Sequence, residues 1–415
     1  MQPSEAFPSP SAAPVAAKER PWLFAFLIAP TAVIDVGLVN GALGFLLRRE
    51  GVAPAHIAAL IALLTIPHTI YFLWCPVADF WIRRRSWILL ASTTAAVTMV
   101  VAFHQARLSS PWAIRLILLA YCLGLLAAAS CGGIMGTFVS EANRRRAASA
   151  YQAGSLAFSA LAVFTLTGLA GRVTLPTLGW VMAAFIVLPA LAVFALPATD
   201  TPGAPDFRAT FLRIGREFKG TFLRWDAIPY LLLITLPMCS GAMLGLLPAL
   251  AVDFGVSGAQ VAWLNGLAGA LLTTLGTLSV ALVPTRVRAP VAFLLAGLAN
   301  AATLAILAIG PLRPAVYFTA TVLYLFTIGA CWALFTAVAL EFLGDSGKSG
   351  GARYSIINSL GNLPVAYMAF VDGRGYAHWG PRGMPAIDAI LSATAASLLL
   401  LYFLAHRAPR RVAAP

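Results

Sequence analysis

The sequence predicts an all-α membrane protein in which 12 transmembrane helices form two pseudo-symmetric six-helix bundles. Of its 415 residues, 60% are hydrophobic and 10% are charged, whereas a soluble domain carries about 25% charged residues. Long apolar stretches recur along the chain, each near the roughly 20 residues that a helix needs to cross about 30 Å of hydrocarbon. One long polar segment divides these stretches into two sets of six.

Each apolar stretch is predicted to be one helix. In chain order the predicted helices are 22–47, 55–80, 86–104, 112–140, 147–171, 175–196, 227–252, 258–283, 289–311, 313–342, 351–371 and 384–405. The corresponding domains are a disordered cytoplasmic tail (1–20), an N-terminal bundle (21–196), a cytoplasmic linker (197–226), a C-terminal bundle (227–406) and a cytoplasmic tail (407–415). Aromatic residues at helical spacing predict an amphipathic helix in the linker, lying on the membrane surface.

Basic residues and an internal repeat give the orientation and the general architecture. Most of the 28 lysines and arginines fall in segments on the side of both termini, and the positive-inside rule therefore places both termini in the cytoplasm. The stretch REGVAPAHIAAL (49–60) aligns with DFGVSGAQVAWL (253–264) at an offset of 204 residues. Repeats of six helices are typical of transporters in which two bundles rock about a central cavity.

Several functional classes are excluded. The net charge of +13 does not indicate nucleic-acid binding, because the arginines lie in short loops between spans. The five cysteines fall inside apolar runs without metal-binding spacing. HExxH, CxxC and P-loop motifs are absent from the sequence. We therefore expect neither an enzyme nor a cofactor, and we expect the energy for transport to come from an ion or solute gradient.

Charged residues inside predicted helices are candidates for proton coupling, because charge is costly within the bilayer. Asp35 lies near the middle of the first helix, where it could carry a proton, contact the substrate, or simply bind a neighbouring helix. His68 lies inside the second helix and is either a coupling residue or a satisfied bundle residue. Asp388 lies near the outer end of the twelfth helix and is expected to be solvated.

Uncharged polar residues supply further candidates. Asn40, Tyr230 and Asn265 lie on the first, seventh and eighth helices, which line the cavity in two-bundle transporters. Such side chains either join helices by hydrogen bonds or line a wet cavity. We predict that these three residues contribute to proton coupling or substrate binding.

A dense charge cluster follows the second helix, in the stretch FLWCPVADFWIRRRSW (72–87). The carboxyl end of a helix carries negative partial charge, so an acid there needs basic partners. We predict a cytoplasmic gate in which carboxylates are held by arginines, the alternative being that the arginines only fix the topology. The gate residues are Asp79, Arg83, Arg84, Arg85, Glu141, Arg144 and Arg145.

This stretch resembles the AmpG-like branch of the major facilitator superfamily. The resemblance extends to Glu141-x-x-Arg144-Arg145-Arg146 and to the AASAYQAGSLAF that follows it. That branch includes bacterial muropeptide permeases, acetyl-CoA transporters of eukaryotic secretory membranes and some siderophore permeases. The resemblance is best over the first 160 residues and implies import by alternating access. Where the branch typically carries acids in helix four, this chain has Cys131-Gly132-Gly133, so that role is either absent here or has moved, with Asp35 as the candidate.

The combined expectation is a monomeric secondary transporter whose partners are a small organic solute, a proton and the lipid bilayer. The excess of arginine over lysine and the abundant alanine are typical of a GC-rich genome and favour a bacterial inner membrane. Two alternatives remain open at this stage. One is an efflux permease for a drug or metabolite, and the other is a solute sensor or scaffold that does not transport.

Overall fold

A computed structural model describes residues 20–139, 141–196, 207–284, 286–343 and 350–406. The described residues form helices joined by short connections, without a β-sheet, and the predicted all-α membrane fold is confirmed. The helices are α1 Pro21–Arg49, α2 Pro54–Thr69, α3 Arg84–Phe103, α4 Pro111–Phe138, α5 Glu141–Leu169, α6 Leu175–Ala190, α7 Phe207–Phe222, α8 Ile228–Thr235, α9 Ala242–Leu250, α10 Gly258–Leu282, α11 Ala289–Ile309, α12 Pro314–Leu343, α13 Gly350–Gly361, α14 Leu363–Trp379 and α15 Gly383–Ala405.

Nine helical stretches of the described residues are long and apolar enough to cross a membrane, and ten when the pair Pro54–Thr69 and Tyr71–Ala78, bent by 45°, is taken as one span. This count treats Ile356–Ala405 as one stretch, although it contains both α14 and α15. We call the end of the bundle where the described chain begins and finishes the inner end, and the opposite end the outer end.

The predicted seventh helix, 227–252, is wrong as a continuous element, because the chain breaks between α8 and α9. Pro237 lacks the amide hydrogen that a continuing helix needs. Cys239 and Gly241 have left-handed φ values of 58° and 77°, which an α-helix cannot accommodate. Discontinuous helices of this kind mark the substrate sites of many transporters.

Two helices contain π-helical segments, Val33–Ala42 in α1 and Ala262–Ala268 in α10. A π-helix bonds each residue to the one five positions away, and such wide turns occur frequently at functional sites. Each segment carries an asparagine, Asn40 or Asn265.

The predicted eleventh helix, 351–371, is divided into α13 and α14, and α14 continues to Trp379. The added turns carry Asp372 and Arg374, whose charges made this segment resemble an outer loop. Within these turns Arg374 lies over the ring of Phe370, 4.6 Å from its centroid, and Asp372 is fully buried.

The linker helix α7 packs against both halves at the inner end. The ring of Phe218 stacks on Phe72, just beyond α2, with centroids 6.3 Å apart and planes 6° apart. Phe222 contacts Phe342 at the end of α12, with centroids 5.9 Å apart. Part of the apolar face of this helix therefore lies against protein, while Leu212 remains 56% exposed.

Glycines let α10 and α12 approach closely. A Cβ atom at Gly276 would overlap the carbonyl oxygen of Phe326, and one at Gly329 would overlap the backbone of Thr273. Small residues at helix crossings permit this approach, and in lipid such packing drives much of helix association.

We expect Gly276→Ala to lower the apparent Tm of the purified protein, because overpacking a tight contact costs about 1–3 kcal/mol of unfolding free energy. The matched control is Gly132→Ala on α4, where a Cβ atom would meet nothing within 4 Å and alanine adds helix propensity. Thermal denaturation in detergent measures both variants. Equal Tm values for the two would contradict the close approach of α10 and α12.

Candidate functional site

Four polar side chains from three helices meet in the N-terminal half. The Tyr121 hydroxyl of α4 donates a hydrogen bond to Asp35 Oδ1 at 3.0 Å. Nδ1 of His68, on α2, lies 3.3 Å from that hydroxyl and 3.5 Å from Asp35 Oδ2. Asn40 Nδ2 donates to Asp35 Oδ1 at 2.8 Å. We call these residues the Asp35 cluster.

The π-helical segment of α1 allows Asp35 and Asn40 to meet. Residues five apart lie on different faces of an α-helix, which repeats every 3.6 residues. The wider π turn returns the fifth residue to the same face, so Asn40 Nδ2 reaches both the carboxylate and, at 3.4 Å, the carbonyl of Asp35. The local backbone thus fixes an amide beside the acid.

Asp35 is held in surroundings that can stabilise its charge. The residue is 8% exposed and Tyr121 is 1% exposed, so water contributes little to solvating the carboxylate. A charge at the centre of a transmembrane helix costs about 2.5–3.5 kcal/mol on insertion scales. Two donors and the imidazole of His68 offset that cost. The cluster thus brings an acid, a phenol and an imidazole within 3.5 Å of one another.

A cavity lies next to the cluster, between the two halves of the chain. Its empty space, with the open solvent at its mouth counted, is about 560 Å³, and about 60 Å³ of this is available to the centre of a water molecule. Asn40 from α1, Ser159 from α5, Asn265 and Thr273 from α10, and Trp332 from α12 contribute its polar lining. The remaining lining is aliphatic, and among the described residues no charged side chain lines it.

An ion pair joins the two halves at the outer end. Arg48 Nη2, at the end of α1, lies 2.8 Å from Asp253 Oδ1, just after α9. The Tyr376 hydroxyl of α14 lies 3.2 Å from each carboxylate oxygen of Asp253. Both charged side chains are mostly buried, with 21% and 12% exposed. These contacts bridge the outer ends of the halves.

Comparison with known proteins finds similar solved structures. The nucleoside transporter NupG matches with a TM-score of 0.67 and 14% identity over 93% of this chain and 98% of that one. A POT family transporter in complex with 5-aminolevulinic acid matches with 0.71 and 8%, over 92% and 95%. A bacterial homolog of the human lysosomal transporter Spinster, inward-facing and unoccupied, matches with 0.63 and 16%, over 94% and 98%.

The fold is that of the major facilitator superfamily. No protein-family model and no curated protein matches the chain. At identities of 8–16% the likeness concerns the fold, and the similar structures are secondary transporters. The chain is a multi-pass membrane protein.

In this major facilitator fold the predicted gate arginines lie at the inner end. Arg84 Nη1 donates to the carbonyl of Gly133 at 2.9 Å, and Arg85 Nη2 donates to the carbonyl of Val193 at 2.9 Å. Both acceptors belong to the N-terminal half. Arg83 immediately precedes α3. The side chains of the other gate residues lie outside the part of the structure that is described: Asp79, Glu141, Arg144 and Arg145.

Arg84 also lies directly against Gly133. A Cβ atom at Gly133 would lie 2.6 Å from Arg84 Nε, so the guanidinium passes directly over this position. The glycine therefore leaves room for the arginine side chain.

Tyr230 lies apart from the Asp35 cluster. Its hydroxyl donates to Glu341 Oε1 at 3.0 Å, and the same Glu341 oxygen lies 3.8 Å from Arg288 Nη2. The ring stacks on Phe342, with centroids 5.1 Å apart. Tyr230 thus belongs to a polar group at the inner end of the C-terminal half, and it is not among the cavity-lining residues.

Proposed function

We propose that the protein is a secondary active transporter that carries a small, uncharged organic solute by alternating access, coupled to proton movement through Asp35. The observation that carries this proposal is the position of Asn40, which binds Asp35 and also lines the cavity. A proton on Asp35 and a solute in the cavity therefore act on the same amide.

The lining of the cavity supports the class of solute. A charged solute leaving water requires a compensating charge, and the described lining offers none. The amides of Asn40 and Asn265 can bond polar groups of the solute, and Asn265 Oδ1 is buried without a hydrogen-bond partner among the described residues. Trp332, 38% exposed, offers an aromatic surface for a ring or apolar group.

The coupling step follows from hydrogen-bond strength. An ionised carboxylate holds a donor roughly twice as strongly as a neutral acceptor does. Protonation of Asp35 therefore weakens its hold on Asn40 by about 1 kcal/mol, and Asn40 becomes available to the solute. Binding of the solute and of the proton then favour each other, as linkage requires.

Orientation and location follow the sequence argument. The basic residues favour cytoplasmic termini, which makes the inner end cytoplasmic, and the composition favours a bacterial inner membrane. The AmpG-like resemblance favours import. Efflux and solute sensing without transport are the other outcomes that the experiment distinguishes.

The experiment begins with a solute panel tested by thermal shift on the purified full chain. The panel contains uridine, adenosine, a dipeptide, 5-aminolevulinic acid and an anhydromuropeptide, and we expect the uncharged nucleosides to give the largest shifts. The stabilising solute is then labelled and tested for counterflow and for uptake driven by a pH gradient in proteoliposomes. Binding without counterflow would identify a sensor, and uptake that is unchanged when the gradient is collapsed would contradict proton coupling.

We expect Trp332→Ala to weaken binding of the stabilising solute by about tenfold, because loss of aromatic contact area costs on the order of 1.4 kcal/mol. The matched control is Trp263→Ala on α10, whose ring is 64% exposed and is not part of the cavity lining. Titration of the thermal shift with solute measures both. Equal affinities would place the solute outside this cavity.

A further inference from the structure

The C-terminal half contains two buried acids that the Asp35 cluster does not use. Asp372 on α14 has 0% exposure, and neither of its carboxyl oxygens has a hydrogen-bond partner among the described residues. Asp388 on α15 is 3% exposed, and its Oδ1 accepts a hydrogen bond from Ser392 at 2.8 Å. The prediction that Asp388 is solvated is therefore wrong. Its position near a helix end suggested water, whereas neighbouring helices cover it.

The two acids lie on neighbouring helices that pack closely together. A Cβ atom at Gly375 would lie 2.6 Å from the carbonyl oxygen of Gly383, so α14 and α15 nearly touch. The carboxyl groups are close enough to act on one another electrostatically, and the Tyr324 hydroxyl lies within electrostatic range of both.

The surroundings contain titratable groups but no described base. No ion pair joins either acid to a described lysine, arginine or histidine. The two arginines near this part of α14 have other contacts, since Arg374 lies over Phe370 and Arg48 pairs with Asp253. The titratable neighbours are Tyr324 on α12, Tyr367 on α14 and Cys239 between α8 and α9, and Cys331 on α12 adjoins Cys239. Beside the neighbouring Gly373, α2 presents Ala55 and Ala58.

An unpaired carboxylate cannot remain charged in such a place. Burial without a partner is costly enough that a group binds a proton or a cation instead, and two neighbouring acids repel when both are ionised. A metal cation such as calcium requires six or more oxygen ligands. The described residues contain no group of three acidic, histidine or cysteine side chains able to hold a metal. The proton is therefore the ligand that fits.

We propose that Asp372 and Asp388 form a second proton-binding site, in the C-terminal half, which is reached from the outer side when the outer end opens. Asp372 lies one helical turn before Tyr376, which contacts the Arg48–Asp253 bridge. Next to it, a Cβ atom at Gly373 would lie 2.6 Å from the Cβ of Ala58 on α2, so this part of α14 forms the contact with the N-terminal half.

Separation of α2 from α14 is what opening of the outer end requires, and it would bring water to Asp372. Closure of the same contact seals the acid again. The access step rests on the proposed alternating access, whereas the proton-binding site itself does not. The two can therefore fail separately.

The test is infrared difference spectroscopy of the full chain in lipid, which detects the carbonyl stretch of protonated carboxylic acids. We expect the wild type to keep a buried-acid band at neutral pH, and Asp372→Asn to lose the contribution of one acid. Asparagine has the shape of a neutral aspartic acid, and gel filtration checks the fold. Asp35→Asn should keep the Asp372 band. The spectrum therefore tests the second proton-binding site even if the proposed transport function is wrong.

Two further measurements make the outcome decisive. Replacement of potassium chloride by sodium chloride at fixed pH should leave the band unchanged, and its loss in sodium would show a cation site and overturn the proton assignment. If Asp372→Asn does not yield folded protein, Ser392→Ala is measured instead, because it removes the donor to Asp388. A shifted band in Ser392→Ala then supports the proton-binding site. A spectrum identical to that of the wild type, in whichever of the two variants folds, overturns it.

Discussion

Asp35→Asn is expected to abolish accumulation of solute against its gradient while exchange of labelled for unlabelled solute continues. A gradient of one pH unit stores about 1.4 kcal/mol per proton, which supports about tenfold accumulation of an uncharged solute for each proton carried through the coupling site. Asparagine keeps the hydrogen bonds of a neutral aspartic acid but cannot release a proton. The variant should therefore equilibrate the solute across the membrane and stop at equal concentrations.

The measurement is uptake into proteoliposomes with and without an imposed pH gradient, alongside counterflow. The matched control is Glu50→Gln, a carboxylate at the outer end that accepts from the backbone amides of Leu108 and Ser109 at 2.7 and 3.0 Å. Because Glu50 holds a loop and does not line the cavity, the control should accumulate solute normally. Normal accumulation of solute by Asp35→Asn would show that Asp35 does not couple transport to proton movement.

Part of the site could be predicted because intramembrane polar residues are few and costly. Asp35 and His68 each require a partner within the bilayer, and the structure joins them through the Tyr121 hydroxyl. Tyr121 itself was missed. A tyrosine in an apolar run has the same pattern as a packing residue, and only its hydroxyl contact distinguishes it.

Other features could not be predicted, because a hydropathy pattern assigns segments with charged residues to loops. The segment DGRGYAHW, which begins at Asp372, was predicted to follow the eleventh helix, whereas α14 includes all of it. The break between α8 and α9 lies in an apolar run, and Pro237 and the left-handed conformations of Cys239 and Gly241 mark it. Backbone conformation of this kind is set by tertiary packing, and composition does not report it.

A signal for the outer bridge was present in the internal repeat. The alignment at an offset of 204 residues sets Arg49 opposite Asp253, so the repeats carry opposite charges at related positions. Repeats related by an axis along the membrane normal bring equivalent positions together near that axis. The observed partner of Asp253 is Arg48, one residue away, because Arg49 donates instead to the carbonyl of Ala170 within the N-terminal half.

This difference between neighbouring arginines gives the second prediction. We expect Arg48→Ala to open the outer end and to raise labelling of a cysteine placed at Ala270, in the cavity lining, by a maleimide that reaches only the outer side. Truncation of one partner of a mostly buried ion pair leaves the other charge unpaired, which costs about 3–5 kcal/mol. If even a third of that free energy destabilises the state whose outer end is closed, the population with an open outer end increases about tenfold.

Arg49→Ala is the matched control, since it removes the same side chain one position along without touching the bridge, and its labelling rate should equal that of the parent. The double variant Arg48→Asp, Asp253→Arg restores opposite charges in reversed order and should return labelling towards the parent rate. Rescue by reversal separates the ion pair from simple loss of packing, because a misfolded outer end would label rapidly in both arrangements. A slow rate in Arg48→Ala would mean that Tyr376 and the contact between α2 and α14 hold the outer end closed without the charge pair.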